Sequence, residues 1–227
     1  MPQHWIFCHG MLNPETLVRW LGSDGMTFEN LRARLRPAKV AGFKRGFAGS
    51  YSSLMEAEGS EIQGLAVQLT SDELSTLDQC EGYPHMYRRI DLQITDLSQG
   101  SDAVMQGQAY QHTEHDFYIP PSHGYKIEVC KMIFTSRYLA GERENRQVEL
   151  PVVRAADEEV QENFQHELTD DDVEDIINGL NGIQSTKNKE SAQAEGAGEI
   201  DPDTAALLQQ LMQVLMQAEQ PEAEAEV

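Results

Sequence analysis

Cysteine is scarce in this chain, with three in 227 residues (Cys8, Cys80 and Cys130), an odd number with no paired metal-type spacing. Three such thiols suit a reducing compartment rather than a disulfide-stapled secreted fold, and the expected location is cytoplasmic. Long apolar runs are missing too. The first apolar stretch, Trp5-Ile6-Phe7-Cys8, is far too short for a signal peptide, and no run approaches the ~20 residues of a membrane span. Basic side chains are few: 17 Lys and Arg against 38 Asp and Glu leave a net charge of −21, which argues against nucleic acid as a partner. The only basic cluster, Arg32, Arg34 and Arg36, has the spacing of a solvated strand or turn face. Aromatics vanish late in the chain. Residues 153–227 hold 19 acidic and 3 basic side chains and one aromatic, Phe164, whereas residues 1–152 hold 19 acidic and 14 basic. So little apolar material cannot offset the entropy of ordering an independent core. The expected organisation is one domain over 1–152 and an acidic tail over 153–227.

Within the first part, Trp5–Cys8 reads as a buried strand ending at His9-Gly10. Asn13 then suits an N-cap, Pro14 the first helical position, and Leu17, Val18 and Leu21 an apolar helix face. A strand, a glycine turn and a helix start together make a general anion-binding arrangement, because backbone N–H groups are left free there. Gly64–Leu69 is a strand, and Thr70-Ser71-Asp72-Glu73 caps a helix that reaches Glu81-Gly82. Tyr87–Ile94 and Ala103–Gln111 alternate as strands, and a second helix spans about Tyr125 to Leu139. Many strands with few intervening helices predict an α+β fold, a small mixed and partly closed β-barrel with flanking helices. In the tail, short helices are expected near 169–180 and 202–218, joined by a flexible linker.

Several of these segments together resemble the gamma-glutamylcyclotransferase-like superfamily, over roughly residues 4–150. Phe7-Cys8-His9-Gly10-Met11-Leu12 is similar to its Tyr-Gly-Ser/Thr-Leu loop, with His9 and Met11 replacing the usual Tyr and Ser/Thr. Gly42-Phe43 and Gly64-Leu65 fall where the family has Gly-Tyr and Gly-Val strands. Leu77-Asp78-Gln79-Cys80-Glu81-Gly82 with Tyr87-Arg88-Arg89 resembles its Leu-Asp-x-x-Glu-Gly…Tyr-Arg-Arg signature, and Pro121-Ser122…Tyr125 its entry to the last helix. The resemblance implies an enzyme that converts a gamma-glutamyl amine or dipeptide to 5-oxoproline and a free amine, without metal or cofactor. It assigns Glu81 as general base and acid, the backbone N–H groups of Gly10, Met11 and Leu12 to the substrate carboxylate, and Tyr125 to the pocket wall. His9 is either a substrate contact or a hydrogen-bonded structural residue.

Cys8 and Cys80 lack the base and orienting group of a nucleophile and read as packing residues. His112 and His115 lack a companion for a metal site. A second function class fits the tail. Leu207, Leu208, Leu211, Met212, Leu215 and Met216 form an amphipathic stripe suited to docking on a protein partner or a second copy of the chain, as a non-catalytic interaction protein would use it. Acidic flanks disfavour a membrane surface.

Overall fold

The apolar run at Trp5–Cys8 ends strand β1 (Gln3–Cys8), and its alternate side chains serve two different apolar layers, Phe7 in one and Ile6 and Cys8 in the other. The computed structural model describes residues 3–48, 51–101, 103–113, 120–154 and 159–181, all within a compact unit of residues 1–184. Helix α1 (Pro14–Leu21) starts as its local sequence dictates: Asn13 is extended and its side chain accepts the Thr16 N–H at 2.9 Å. Helix α2 (Phe28–Arg34) opens with a capping box between Thr27 and Asn30. Arg32 and Arg34 therefore lie on a helix, and Arg34 is not simply solvated. Its guanidinium forks onto Glu73, with one bond of 2.9 Å, and its Nε donates to the Gln68 carbonyl at 2.7 Å.

Strands β2 (Leu35–Ala48) and β3 (Tyr51–Thr70) make one long hairpin, in register from Leu35 opposite Val67 to Ala48 opposite Tyr51, with a bulge between Ala41 and Phe43. From sequence, Ala33–Phe47 alternates only loosely and Gly64–Leu69 is the clear strand. Glu56, Glu58, Gly59 and Glu61 are exposed, so this stretch has no buried face to impose an apolar alternation. Helix α3 (Ser71–Cys80), strands β4 (Tyr87–Asp96) and β5 (Val104–His112), and helix α4 (His123–Ala140) follow. The sheet runs β1-β3-β2-β4-β5 and closes where β5 pairs with β1 in parallel, Phe7 opposite Ala109, so the barrel expected to be partly closed is complete. Close approach of β1 to β3 requires Gly64, because a Cβ there would run into the Cys8 carbonyl and the Phe7 ring.

One apolar cluster is drawn from strands alone (Phe7, Val40, Leu54, Ala66, Ile94 and Ala109 among them) and fills the barrel. The other joins Ile6, Leu65 and Val67 to Leu17, Leu21, Phe134 and other helix residues, binding helices to the outer wall. Each fully buried side chain of this size contributes roughly 1.5–3 kcal/mol.

The compact unit continues past residue 152, where the tail was expected to begin. Strand β6 (Gln147–Val153) pairs with β7 (Val160–Glu167), so a boundary at 152 would cut a hairpin. Helix α5 (Asp170–Leu180) starts at a Thr169/Asp172 capping box. Leu150, Phe164, Leu168 and Leu180 all join the outer cluster. A segment too poor in apolar residues for its own core can still cover an existing one. The helix expected over 202–218, with its docking or self-association, lies outside the described residues, as does His115. Among the described residues no helix is long and apolar enough to cross a membrane, and no His/Cys/Asp/Glu group could hold a metal ion.

Candidate active site

Helix α3 delivers Glu81 to one end of the barrel. Its last turn closes with the Glu81 N–H on the Leu77 carbonyl at 2.9 Å. Gly82 then takes φ +64°, a left-handed turn that L side chains resist, and its carbonyl accepts the N–H groups of His85 and Met86. The Glu81 side chain lies on a pocket of about 300 Å³, a size suited to a small molecule. The pocket sits where β1 and β5 end and β3 and β4 begin. His9, Gly10, Met11, Leu12, Glu81 and Tyr125 all line it, so the fold brings every residue of the sequence-predicted site to one cavity.

The Glu81 carboxyl makes no hydrogen bond or ion pair with any described residue. Burial alone pushes its carboxyl up from an ordinary 4.5 to about 7, so both protonation states are accessible near neutrality. On the loop opposite, the Asn13 N–H bonds the Met11 carbonyl at 2.7 Å, while the N–H groups of Gly10, Met11 and Leu12 donate to no described acceptor. Free donors in succession just before a helix are of the kind that can hold an anion.

The His9 ring is fully committed to the protein. Its Nε2–H donates to the Tyr110 carbonyl at 2.8 Å, and Nδ1 accepts from the Ser52 hydroxyl at 3.1 Å. Burial, outweighing the bond to Tyr110, lowers its pKa to about 4 and keeps the ring neutral. His9 thus lines the pocket as a structural histidine, and the Arg45 Nε donates to its backbone carbonyl at 2.6 Å. Cys8 is buried and its thiol is pushed up by burial and by Glu81, which rules out a ready thiolate. Cys80, expected to be packed, is exposed at the pocket.

Further pocket residues escaped the sequence. Ser52 ties three walls together: its N–H donates to the Tyr125 hydroxyl at 2.8 Å, its carbonyl accepts from the Tyr87 hydroxyl at 3.2 Å, and its side chain holds His9. Nothing in the Tyr51-Ser52-Ser53 run signals this, since the partners come from the loop after β1, from β4 and from α4. Tyr87 opens the Tyr-Arg-Arg motif and so carried a signal, and Tyr110 donates to Asp78, one helical turn before Glu81, at 2.7 Å. Burial raises the pKa of Tyr87, Tyr110 and Tyr125, so all three hydroxyls stay protonated.

Residues 6–127 match the family model of gamma-glutamyl cyclotransferase, AIG2-like. Among solved structures, one from Arabidopsis thaliana is 23% identical, covering 61% of this chain and 89% of that one, with a TM-score of 0.41. An uncharacterized human protein is 19% identical, covering 63% and 83%, with a TM-score of 0.48. A yeast gamma-glutamyl cyclotransferase specific to glutathione is 10% identical, covering 81% and 98%, with a TM-score of 0.36. No curated protein matches. The match to the family model spans more than half of the chain, and the chain belongs to the gamma-glutamyl cyclotransferase, AIG2-like family.

Proposed function

We propose that the chain converts a gamma-glutamyl amine or dipeptide to 5-oxoproline and the free amine, with Glu81 acting as base and then as acid. The observation that carries this reading is the unpartnered Glu81 carboxyl sharing one pocket with the three free N–H groups of Gly10, Met11 and Leu12. The cradle takes the substrate's α-carboxylate, which leaves the neighbouring α-ammonium directed at Glu81. The Glu81 carboxylate removes one proton, and the amine nitrogen attacks the γ-carbonyl carbon of the same molecule. Holding the two atoms about 3–3.5 Å apart supplies much of the rate. The protonated Glu81 then delivers that proton to the departing nitrogen as the γ-amide bond breaks; the restored carboxylate takes the second proton from the ring nitrogen, giving the neutral lactam, and passes it to the released amine, which leaves as an ammonium ion. A pKa near 7 suits a group that must both accept and return a proton. The Tyr125 hydroxyl accepts from Ser52 and donates to no described residue, which leaves its proton for the substrate's developing oxyanion.

The test is release of 5-oxoproline by the purified chain over a panel of gamma-glutamyl amines and dipeptides, repeated with Glu81→Gln. Turnover that disappears in the variant supports the reading. A folded wild-type chain with no turnover on any member of the panel removes it.

A further inference from the structure

Arg45, on β2, is buried at 7% exposure beneath the loop, and among the described residues it makes no ion pair. Its two hydrogen bonds go to uncharged acceptors, the His9 carbonyl at 2.6 Å and the Gln63 carbonyl at 3.0 Å. The His9 ring beside it is neutral. Burial lowers the guanidinium to about 10, which still leaves it a cation at neutral pH. A buried charge without a countercharge is costly, and an apolar side chain of similar length would fill the same space without that penalty. The fold therefore carries an uncompensated positive charge next to the residue that leads into the Gly10–Leu12 cradle. Its field reaches the pocket wall: Tyr125 is influenced both by Arg45 and, in the opposite sense, by Glu81, whereas the shift of Glu81 itself comes from burial. Arg45 and Glu81 thus bring charges of opposite sign to bear on the same pocket wall.

We propose that Arg45 is the positioning residue of the anion cradle: its bond to the His9 carbonyl holds the Gly10–Leu12 N–H groups toward the pocket, and its charge finds its counterion only when a substrate carboxylate arrives. The proposal rests on the cradle holding the α-carboxylate, as in the function proposed above. It predicts that the chain selects gamma-glutamyl compounds with a free α-carboxylate over those in which it is an amide. Arg45 touches no substrate atom and acts through the loop and through its charge.

The experiment is equilibrium binding by calorimetry in a Glu81→Gln background, where no chemistry intervenes. The ligand pair is a gamma-glutamyl anilide and its α-carboxamide analogue. Arg45→Gln removes the charge and keeps a donor for the His9 carbonyl; Arg45→Lys keeps the charge and loses the fork. Loss of a buried charge close to a bound carboxylate changes affinity on the order of tenfold to a hundredfold. The expected result is that loss in Arg45→Gln for the carboxylate ligand, a change below about threefold for the carboxamide, and recovery of most of the affinity in Arg45→Lys. If Arg45→Gln melts before it can be measured, the Arg45→Lys comparison stands on its own: the carboxylate preference must persist in it. Equal losses for both ligands, equal losses in both variants, or no preference for the carboxylate in the parent would each overturn the proposal. Selective loss of binding together with no 5-oxoproline release by the wild-type chain would keep the anion site and remove the cyclotransferase. Turnover without selective loss would do the reverse.

Discussion

Glu73 and Glu81 stand at the two ends of helix α3, and the same side chain is put to opposite uses. Glu73 sits in the first turn, where the helix N-terminus favours negative charge. Burial alone would raise its pKa, but hydrogen bonds from Arg34 and Thr70 and the Arg34 charge win, and the carboxyl is held below its usual range. Glu81 caps the carbonyl end of the helix, where no described residue answers its charge, and burial carries it up to about 7. The first glutamate secures the helix to β3 and α2. The second is left available to a ligand. What separates them is the company each carboxyl keeps, since the fraction buried acts in the same direction on both.

The largest effect that would break this contrast is chemical. Glu81→Gln is expected to lower 5-oxoproline release by about 100- to 10,000-fold, the range for a lost general acid–base group. It leaves the thermal melting temperature equal to or above that of the wild type, because it removes an unanswered carboxyl. In the wild type, kcat/KM should fall as the pH drops below about 7, since the acting form of Glu81 is the carboxylate. A rate that is flat from pH 5.5 to 8 would detach Glu81 from the proton transfer.

Stability against pH sharpens the same comparison. Between 4.5 and about 7 folded Glu81 holds a proton that the unfolded chain has already released, so its presence lowers stability progressively as pH rises through that window. The full difference is on the order of 3 kcal/mol. Glu73 works with the opposite sign: its depressed carboxyl adds stability above 4.5 that is lost as pH falls through its folded value. Urea midpoints of Glu81→Gln and wild type should nearly coincide at pH 4 and diverge toward pH 7.5, with the variant higher. Midpoints that diverge in the other direction would mean that Glu81 has a stabilising partner.

At the structural end of the helix, Arg34→Met leaves Glu73, whose side chain is 7% exposed, without its countercharge. The expected loss is about 2–3 kcal/mol of unfolding free energy, with kcat within about twofold of wild type. The smallest effect is Thr70→Ala, which removes one arm of the capping box and should cost about 1 kcal/mol in the same measurement.

Local features were legible. The Asn13 cap with Pro14, the Thr70–Glu73 box and the stop at Gly82 each depend on residues within one turn of the chain. The positions that the fold gathers at the pocket were legible as well, because Gly10–Leu12 and Glu81-Gly82 carry recognisable local patterns. Other features were hidden for identifiable reasons. The middle of the β2–β3 hairpin, around Glu56 to Glu61, has no buried face and so no alternation. The β6–β7 hairpin and α5 look too polar to fold until the outer face of the barrel is there to receive Leu150, Phe164 and Leu180.

The sequence by itself determined where helices α1, α3 and α5 begin, which side chains are chemically able to act, and that the chain is acidic and poor in thiols, but not that Phe28–Arg34 is a helix. Tertiary structure alone decided which glutamate is answered and which is left free. It decided that both nitrogens of the His9 ring are occupied by Ser52 and Tyr110, residues 43 and 101 positions away along the chain. It also set Arg45 as a buried cation that bonds two backbone carbonyls and, among the described residues, makes no ion pair. Desolvation and pairing depend on distances through space, which barrel closure sets and which no local stretch of sequence records.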